Sequence, residues 1–220
     1  STPCGTLFPY TTLFRSGFEH PTHIQAQLIP PILSGRDVMG QAKTGTGKTA
    51  AFALPILHHA EKDVSVQALI LAPTRELAIQ ITAEVNELGK HTPIRCVAVT
   101  GGASFTEQRK GLKGGAQIVV GTPGRVMDLH GRGDLPFNHL KWVVLDEVDR
   151  MLDIGFREDI RKILGKVHNA HQTIFVSATI SEEIERLGRK FMRDDEIEKV
   201  ATVAKSLTVR QVTQHYIPVA

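Results

Sequence analysis

Short runs of apolar, mostly β-branched residues recur along the middle of the chain, and a turn and a segment with helical spacing follow them. The runs occupy residues 38–39, 68–72, 96–99, 118–120, 142–145 and 173–176. Runs that are apolar at every position indicate strands buried on both faces of a sheet. In the segment 76–89, one helical stripe holds the apolar residues Leu77, Ile81, Val85 and Leu88. The alternation predicts an α/β fold with a doubly wound, mostly parallel sheet and helices on both faces.

The two ends of the chain differ from this middle. Residues 1–16 show neither clean periodicity nor a helix cap, so we predict a leader that is non-native or disordered and lies outside the folded domain. We assign the domain to residues 17–205. The extended-looking segment 206–220 is predicted to start a linker to a second domain that this chain lacks. A charged pattern of alternating sign over 182–199 indicates the solvated face of a helix.

Composition narrows the class of protein. Apolar residues make up 41% and charged residues 22% of the 220 residues, which excludes a disordered chain, a collagen-like fibre and an integral membrane protein. With 26 Lys and Arg against 23 Asp and Glu, the net charge is only +3, so contact with nucleic acid needs a local arrangement of charge. Cys4 and Cys96 lack metal-ligand spacing, and the histidines are scattered. We expect a monomeric cytoplasmic protein with free thiols, no membrane partner and no metal held by histidine.

The segment 42–49 has the pattern of a phosphate-binding loop between a strand and a helix predicted over 50–60. Glycines let successive N–H groups point at phosphate oxygens, the lysine supplies charge to the outer phosphates, and the last threonine can ligate Mg²⁺. Ala42 stands where the pattern has glycine. The flanking strand and helix argue against a chance glycine-rich turn. The predicted nucleotide contacts are Ala42, Thr44, Gly45, Thr46, Gly47, Lys48 and Thr49.

An acidic quartet, Asp146 to Asp149, directly follows the apolar run 142–145. At the carboxyl end of a strand beside the phosphate loop, Asp146 would hold Mg²⁺ with Thr49. Glu147 would orient and deprotonate the water that attacks the γ-phosphate. The alternative for such acids is a solvated turn, and Asp149 alone could be a helix cap. The two motifs together indicate a P-loop hydrolase, a class that includes kinases, GTPases, transporters and motors.

Six segments in order then narrow the class: 17–25, 73–77, 101–102, 122–125, 146–149 and 177–179. With the phosphate loop they resemble the amino-terminal helicase domain of DEAD-box ATP-dependent RNA helicases, over residues 17–220. The resemblance implies a RecA-like fold, ATP and Mg²⁺ as cofactors, RNA as partner, and a carboxyl-terminal helicase domain as a second partner. Val148 departs from the alanine of the family quartet.

The resemblance also implies roles for individual residues. Thr22 and Gln25 would read adenine, since an amide offers a donor and an acceptor, although Gln25 alone would be read as a surface helix residue. Ser177 and Thr179 would couple hydrolysis to RNA strand separation through Asp149, which completes a catalytic set with Lys48, Asp146 and Glu147. The implied contacts to the RNA backbone are Pro73, Thr74, Arg75, Gly101, Gly102, Thr122, Pro123, Gly124 and Arg125.

We expect Arg75 and Arg125 in particular to touch phosphate. Taken singly, residues 74–76 would be a helix cap and residues 101–102 a simple turn. The function implied is that of an ATP-dependent RNA helicase fragment that grips the RNA backbone without reading bases. The alternatives are an ATP-dependent RNA clamp or scaffold without unwinding and, more distantly, a small-molecule kinase or transporter ATPase. Family members draw arginine fingers from the second domain, so we expect the isolated chain to be weakly active.

Overall fold

A computed structural model of the chain describes residues 20–193 and 197–201. Its centre is a sheet of seven strands in the order β3-β4-β2-β5-β6-β1-β7, and every neighbouring pair is parallel. The strands are β1 (Val38–Gln41), β2 (Ala68–Leu71), β3 (Cys96–Val99), β4 (Ile118–Gly121), β5 (Trp142–Asp146), β6 (Gln172–Ser177) and β7 (Glu198–Ala201). The predicted doubly wound parallel fold is confirmed. The predicted leader 1–16, the linker 206–220 and Cys4 lie outside the described residues.

Helices connect the strands. They are α1 (His23–Leu33), α2 (Lys48–His59), α3 (Arg75–Leu88), α4 (Phe105–Lys113), α5 (Pro123–Gly131), α6 (Val148–Asp153), α7 (Arg157–Lys166) and α8 (Glu182–Phe191). Within residues 20–193 and 197–201, no helix combines the length and the apolar character that crossing a bilayer requires.

Two hydrophobic cores, one on each face of the sheet, explain why the strand runs are apolar at every position. On one face, Val144 of β5 packs in the cluster formed with α1, α2 and α3. On the other, Val143 and Leu145 belong to the cluster formed with α5, α7 and α8. Successive side chains of a strand point to opposite faces, so a strand covered by helices on both sides has no polar face.

Side-chain caps set the beginnings of several helices. Thr74 accepts a hydrogen bond from the backbone N–H of Leu77 at the start of α3, so it has the capping role that residues 74–76 suggest when taken singly. The Ser181 hydroxyl does the same for the N–H of Ile184 at the start of α8. Such caps satisfy N–H groups that have no partner within the helix.

The single helical face predicted over 182–199 is wrong in its second half. The helix α8 ends at Phe191, and Glu198 and Lys199 lie in β7, an edge strand that pairs with β1. Only Val200 of this strand is buried. An exposed edge strand with one inward side chain carries the same alternating charges as a solvated helix face, so the charge pattern could not separate them.

Asp37 secures this edge of the sheet. Its carboxylate oxygens accept hydrogen bonds from the N–H groups of Thr173 (2.8 Å) and Arg193 (2.6 Å). The carboxylate is fully buried, so these bonds replace the water that it loses on folding. It thereby ties the starts of β1 and β6 to the segment that leads from α8 towards β7.

Cys96 begins β3 with a buried thiol, whose pKa burial raises to about 12. The thiol therefore stays protonated and unreactive at neutral pH, in accord with the prediction of a free thiol.

The strand order divides the predicted motifs into two groups at one edge of the sheet. The phosphate loop, the acidic quartet and residues 177–179 follow β1, β5 and β6, which are neighbours. The three segments with implied RNA contacts follow β2, β3 and β4, which form the other half of the sheet. In parallel α/β sheets, ligands bind at the carboxyl ends of the strands.

Candidate active site

The phosphate loop bends sharply between β1 and α2. Gly45 and Gly47 have φ of +80° and +84°, in the left-handed region that glycine adopts without strain. A Cβ added at Gly47 would lie 2.5 Å from the Gln25 Nε2, whereas one at Gly45 would meet nothing within 4 Å. Ala42, where the pattern has glycine, is buried, and its N–H donates to the Ser177 carbonyl at 2.9 Å. The loop therefore begins in contact with the end of β6.

Lys48 starts α2 with a side chain that is only 6% exposed. Its Nζ has no hydrogen-bond partner among the described residues, and the Asp146 Oδ1 lies 3.9 Å away. A buried ammonium without hydrogen bonds is costly unless an anion completes its surroundings. The position at the start of a helix, beside backbone N–H groups, fits phosphate oxygens as that anion.

Asp146 ends β5 and is buried. Burial raises the pKa of its carboxyl to about 6; the Lys48 charge opposes this shift, and the negative charges of Glu147 and Glu84 add to it. A divalent cation would stabilise the ionised carboxylate, and oxygen ligands such as this carboxylate and the Thr49 hydroxyl are those that Mg²⁺ prefers. The residues predicted to hold Mg²⁺ are therefore suited to it chemically.

Glu147 occupies a strained backbone position. Its φ of 54° and ψ of 53° are left-handed, a conformation that costs a residue with a side chain about 1–3 kcal/mol. This turn directs the carboxylate towards the phosphate loop, where Oε1 accepts a hydrogen bond from the Thr44 hydroxyl at 3.3 Å. The other oxygen, Oε2, lies 3.3 Å from the Arg150 Nη1. A cleft of about 270 Å³ adjoins these groups.

Asp149 is linked to the end of β6, as predicted. Its Oδ2 accepts hydrogen bonds from the Thr179 N–H and hydroxyl, both at 2.9 Å, and its own N–H donates to the Ser177 Oγ at 3.2 Å. Partial burial acts to raise the pKa of Asp149, but hydrogen bonds from Ser177 and Thr179 outweigh it and hold the pKa below its ordinary value. The alternative of a helix cap is wrong, because Glu147 occupies the cap position of α6.

Gln25 is fully buried and joins α1 to the phosphate loop. Its Oε1 accepts from the Thr22 N–H at 2.9 Å, and its Nε2 donates to the Gly47 carbonyl at 3.1 Å. The Thr22 hydroxyl donates to the Thr46 carbonyl at 2.9 Å. The alternative of a surface helix residue is wrong. The amide keeps one further acceptor site and one further N–H, which is what contact with an adenine edge would use.

Arg75 and Arg125 converge on the loop between β3 and α4. The Arg75 Nη1 donates to the Gly102 carbonyl at 2.9 Å. The Arg125 Nη1 donates to the Ala103 carbonyl of this loop at 3.4 Å and to the Gln108 Oε1 of α4 at 3.1 Å. Both arginines therefore hold the loop in place, in addition to any contact with phosphate.

The other residues with implied RNA contacts differ in exposure. Gly101, Gly102 and Gly124 are exposed, and Thr74 is half-buried. Pro73, Thr122 and Pro123 are buried, so their side chains shape the loops from within. The surface that a ligand can reach is therefore made of glycine backbone and arginine side chains, which suits contact with a sugar-phosphate backbone.

Three residues near the site were not identified from the sequence. Glu84 of α3 is half-buried, accepts a hydrogen bond from the Thr49 hydroxyl, and has a pKa that burial raises. The Gln41 Nε2 donates to the Ala178 carbonyl at 3.1 Å. Arg150 could have been found from its position three residues after Glu147 on a helix. Nothing in the local sequence singles out Glu84 or Gln41, because their partners come from other elements.

Comparison with known proteins gives one family and a consistent fold. Residues 22–187 match the family model described as DEAD/DEAH box helicase. The chain is 48% identical over 204 residues to the ATP-dependent RNA helicase CshA of Limosilactobacillus reuteri, covering 92% of this chain and 41% of that protein. It is 46% identical over 206 residues to the DEAD-box ATP-dependent RNA helicase CshA of Geobacillus kaustophilus, covering 93% and 44%. The chain thus spans about two fifths of the length of these curated relatives.

Solved structures agree with this fold. A DEAD box protein from the hyperthermophile Methanococcus jannaschii superposes with a TM-score of 0.84 and 38% identity, covering 89% of this chain and 53% of that one. A hypothetical ATP-dependent RNA helicase from Sulfolobus tokodaii gives a TM-score of 0.80 and 34% identity, covering 88% and 56%.

Proposed function

This chain belongs to the DEAD/DEAH box helicase family, and on that basis we propose that it is the ATP-binding part of an ATP-dependent RNA helicase. The observation that carries the proposal is the buried, unbonded Lys48 ammonium, 3.9 Å from Asp146 at the edge where β1, β5 and β6 end. Nucleotide phosphates are the anions that this surrounding fits best.

The phosphates of ATP bind the N–H groups of residues 45–49 and the Lys48 charge. Thr49 and Asp146 hold Mg²⁺, which when bound neutralises negative charge on the outer phosphates. Glu84 accepts a hydrogen bond from the Thr49 hydroxyl and so leaves the oxygen lone pairs of that hydroxyl free for a cation. Thr22 and Gln25 bind adenine through the donor and acceptor positions that their contacts with each other and with the phosphate loop do not use.

Glu147 acts as the general base for hydrolysis. Its carboxylate accepts a proton from water as the water oxygen bonds to the γ-phosphorus, and the bond from that phosphorus to the β–γ bridging oxygen breaks to release ADP. Thr44 and Arg150 orient the carboxylate through its two oxygens. The left-handed backbone keeps the carboxylate on the side of the phosphate loop.

RNA binds along the loops that follow β2, β3 and β4 through its backbone, without base readout. Arg75 and Arg125 hold the loop at Gly102 and Ala103 and offer their remaining N–H groups to phosphates. The bonds from Ser177 and Thr179 to Asp149 transmit changes at the quartet to the segment that leads into α8.

The full activity depends on a second helicase domain that supplies an arginine finger, in accord with the two fifths of its curated relatives' length that this chain spans. Such an arginine contributes about 10³- to 10⁵-fold to the rate. We propose that the protein acts as a monomer in the cytoplasm, with this second domain and RNA as its partners.

The test is ATP turnover with and without single-stranded RNA, measured on this chain and on a hybrid in which the carboxyl-terminal part of the Limosilactobacillus reuteri relative follows it. We expect RNA-stimulated turnover in the hybrid, little in the chain alone, and at least about a 10²-fold loss in the hybrid with Glu147→Gln. Binding of a fluorescent ATP analogue should survive Glu147→Gln and be lost with Lys48→Ala. If the hybrid turns over ATP without any response to RNA, the RNA part of the proposal is wrong and the nucleotide part stands.

A further inference from the structure

A cleft of about 290 Å³ lies between α6, α7 and α8 and shares no lining residue with the cleft beside Glu147. Its apolar lining consists of Leu152, from the end of α6, and Leu187, from the middle of α8. The rest of the lining is charged, so we refer to it as the basic cleft.

Four cations and one carboxylate surround the apolar lining. Arg157 and Arg161 stand four residues apart on α7 and therefore share a face of that helix. On α8, Arg186 follows Glu183 by three residues and Lys190 follows Arg186 by four, so these side chains also share a face. All four cations are exposed, and Glu183 is half-buried. The basic cleft therefore carries an excess of three positive charges.

The internal contacts of the cleft pair two of its four cations with carboxylates. Glu183 pairs with Arg157, and Arg161 lies 3.2 Å from Glu158. The Arg186 Nε donates to the Glu182 carbonyl at 3.3 Å, and Lys190 lies over the ring of its neighbour Phe191. In the part of the chain that the structure describes, neither Arg186 nor Lys190 forms an ion pair with a carboxylate.

We propose that the basic cleft docks an acidic segment of a partner protein, with carboxylates on the arginines and one apolar side chain on Leu152 and Leu187. Clusters of arginine recognise acidic motifs because the planar guanidinium matches a carboxylate with two parallel hydrogen bonds. The apolar lining favours a peptide over a polyphosphate, because a polyphosphate has no apolar group to cover it. The basic cleft also lies on the β5–β6 half of the sheet, whereas the loops with implied RNA contacts follow β2, β3 and β4.

The basic cleft lies outside the proposed ATP and RNA sites. Two of its helices, α6 and α8, are nevertheless close in sequence to the hydrogen-bonded pair Asp149 and Thr179. Leu152 lies three residues after Asp149 on α6, and α8 begins three residues after Thr179. A partner in the basic cleft would therefore rest on the two helices that the bonds from Thr179 to Asp149 connect.

The test is fluorescence anisotropy with a labelled peptide, Glu-Asp-Glu-Leu-Glu-Asp-Glu, titrated with this chain at low salt. The variant Arg186→Glu/Lys190→Glu should bind about tenfold more weakly or worse, since each reversal removes an attraction and adds a repulsion. The matched control, Lys162→Glu/Lys166→Glu, changes the net charge equally at exposed positions of α7 outside the cleft and should change affinity less than about twofold. Thermal melts check that both variants are folded.

Two further measurements sharpen the result. Glu183→Gln removes the only carboxylate of the basic cleft and frees Arg157, so it should tighten peptide binding several-fold. Replacing the peptide leucine by serine should weaken it. No binding, equal losses in both charge-reversal variants, or no effect of the leucine would overturn the proposal. Single-stranded RNA that binds more tightly than the peptide and is lost only with Arg186→Glu/Lys190→Glu would assign the cleft to nucleic acid instead.

Discussion

At the scale of single residues, the site keeps charged groups in surroundings that disfavour their charge. The Lys48 ammonium and the Asp146 carboxylate are both buried at a separation of 3.9 Å, without a hydrogen bond between them. Glu147 is held in a left-handed backbone. A bound ligand of suitable charge stabilises such groups. Its binding free energy offsets the free energy that burying these charges costs on folding.

The raised pKa of Asp146 predicts a specific dependence of stability on pH. Its folded pKa of about 6 lies above the unfolded value, so its contribution to stability is present at low pH and is lost as the pH rises through about 6. Relative to the parent, Asp146→Asn should therefore gain up to about 3 kcal/mol in the free energy of unfolding between pH 4 and pH 7.5. Urea unfolding at both pH values measures this, without Mg²⁺ or nucleotide. A difference between the two proteins that is the same at every pH would contradict it.

At the scale of elements, side chains tie each loop of the site to a neighbouring element. Gln25 ties the phosphate loop to α1, Arg75 ties the loop at Gly102 to α3, and Thr179 ties the end of β6 to α6. None of these links is local in sequence. The loops are therefore placed by the packing of the helices that hold them.

Two glycine substitutions distinguish the effect of the left-handed conformation of the phosphate loop from the effect of its contact with Gln25. Gly45→Ala introduces only a left-handed alanine with open space around it, and we expect a loss of about 1–2 kcal/mol in the free energy of unfolding. Gly47→Ala adds a methyl group 2.5 Å from the Gln25 Nε2, which must move. It should therefore cost more and should also increase hydrogen exchange at the start of α1. Equal effects of the two variants in both measurements would show that Gln25 does not hold the loop.

Removing Arg75 should loosen the loop between β3 and α4 without unfolding the domain. In Arg75→Ala the Gly102 carbonyl loses its donor, so amide exchange over residues 101–104 should become faster and RNA binding weaker. Arg36→Ala is a matched control, because Arg36 is an exposed arginine whose ion pair with Glu198 lies at the opposite ends of the strands. Mass spectrometry measures the exchange. Unchanged exchange over residues 101–104 in Arg75→Ala would show that Arg75 does not hold the loop and contacts phosphate only.

At the scale of the whole molecule, the sequence predicted those structural features that depend on residue type and on the order of residues along the chain. The strands of the central sheet from β1 to β6 and the phosphate loop follow from apolar runs and from the motifs that end them. The approach of Asp149 to Thr179 was implied by the family resemblance and not by the local pattern. The strand β7 was missed because an exposed edge has no distinctive pattern. Glu84 was missed because its partner, Thr49, comes from another helix, and no local pattern records a contact between distant segments.

The division of the sheet predicts weak coupling between ATP and RNA in this chain alone. The residues proposed to bind the nucleotide follow β1, β5 and β6, and the loops with implied RNA contacts follow β2, β3 and β4, all in one packed sheet. Coupling needs two states in which each ligand makes different contacts, and under the proposed function a second domain supplies them. A saturating RNA oligonucleotide should therefore change the affinity of this chain for a fluorescent ATP analogue by less than about twofold, and that of the hybrid by at least about fivefold. Strong coupling in the chain alone would locate the two states within this domain.

The burial of Val148 has a consequence for how such chains are recognised in genomes. The side chain is fully buried among the core residues of α6 and its neighbours. The acids on either side of it lie at the carboxyl end of β5, where we propose that the nucleotide binds. The position of Val148 therefore requires an apolar side chain of suitable volume, whereas the flanking positions require carboxylates. A search for four fixed letters confuses the two requirements and rejects a chain in which all three acids are present and in place. A pattern that fixes the acids and admits any small apolar residue between them would retain it.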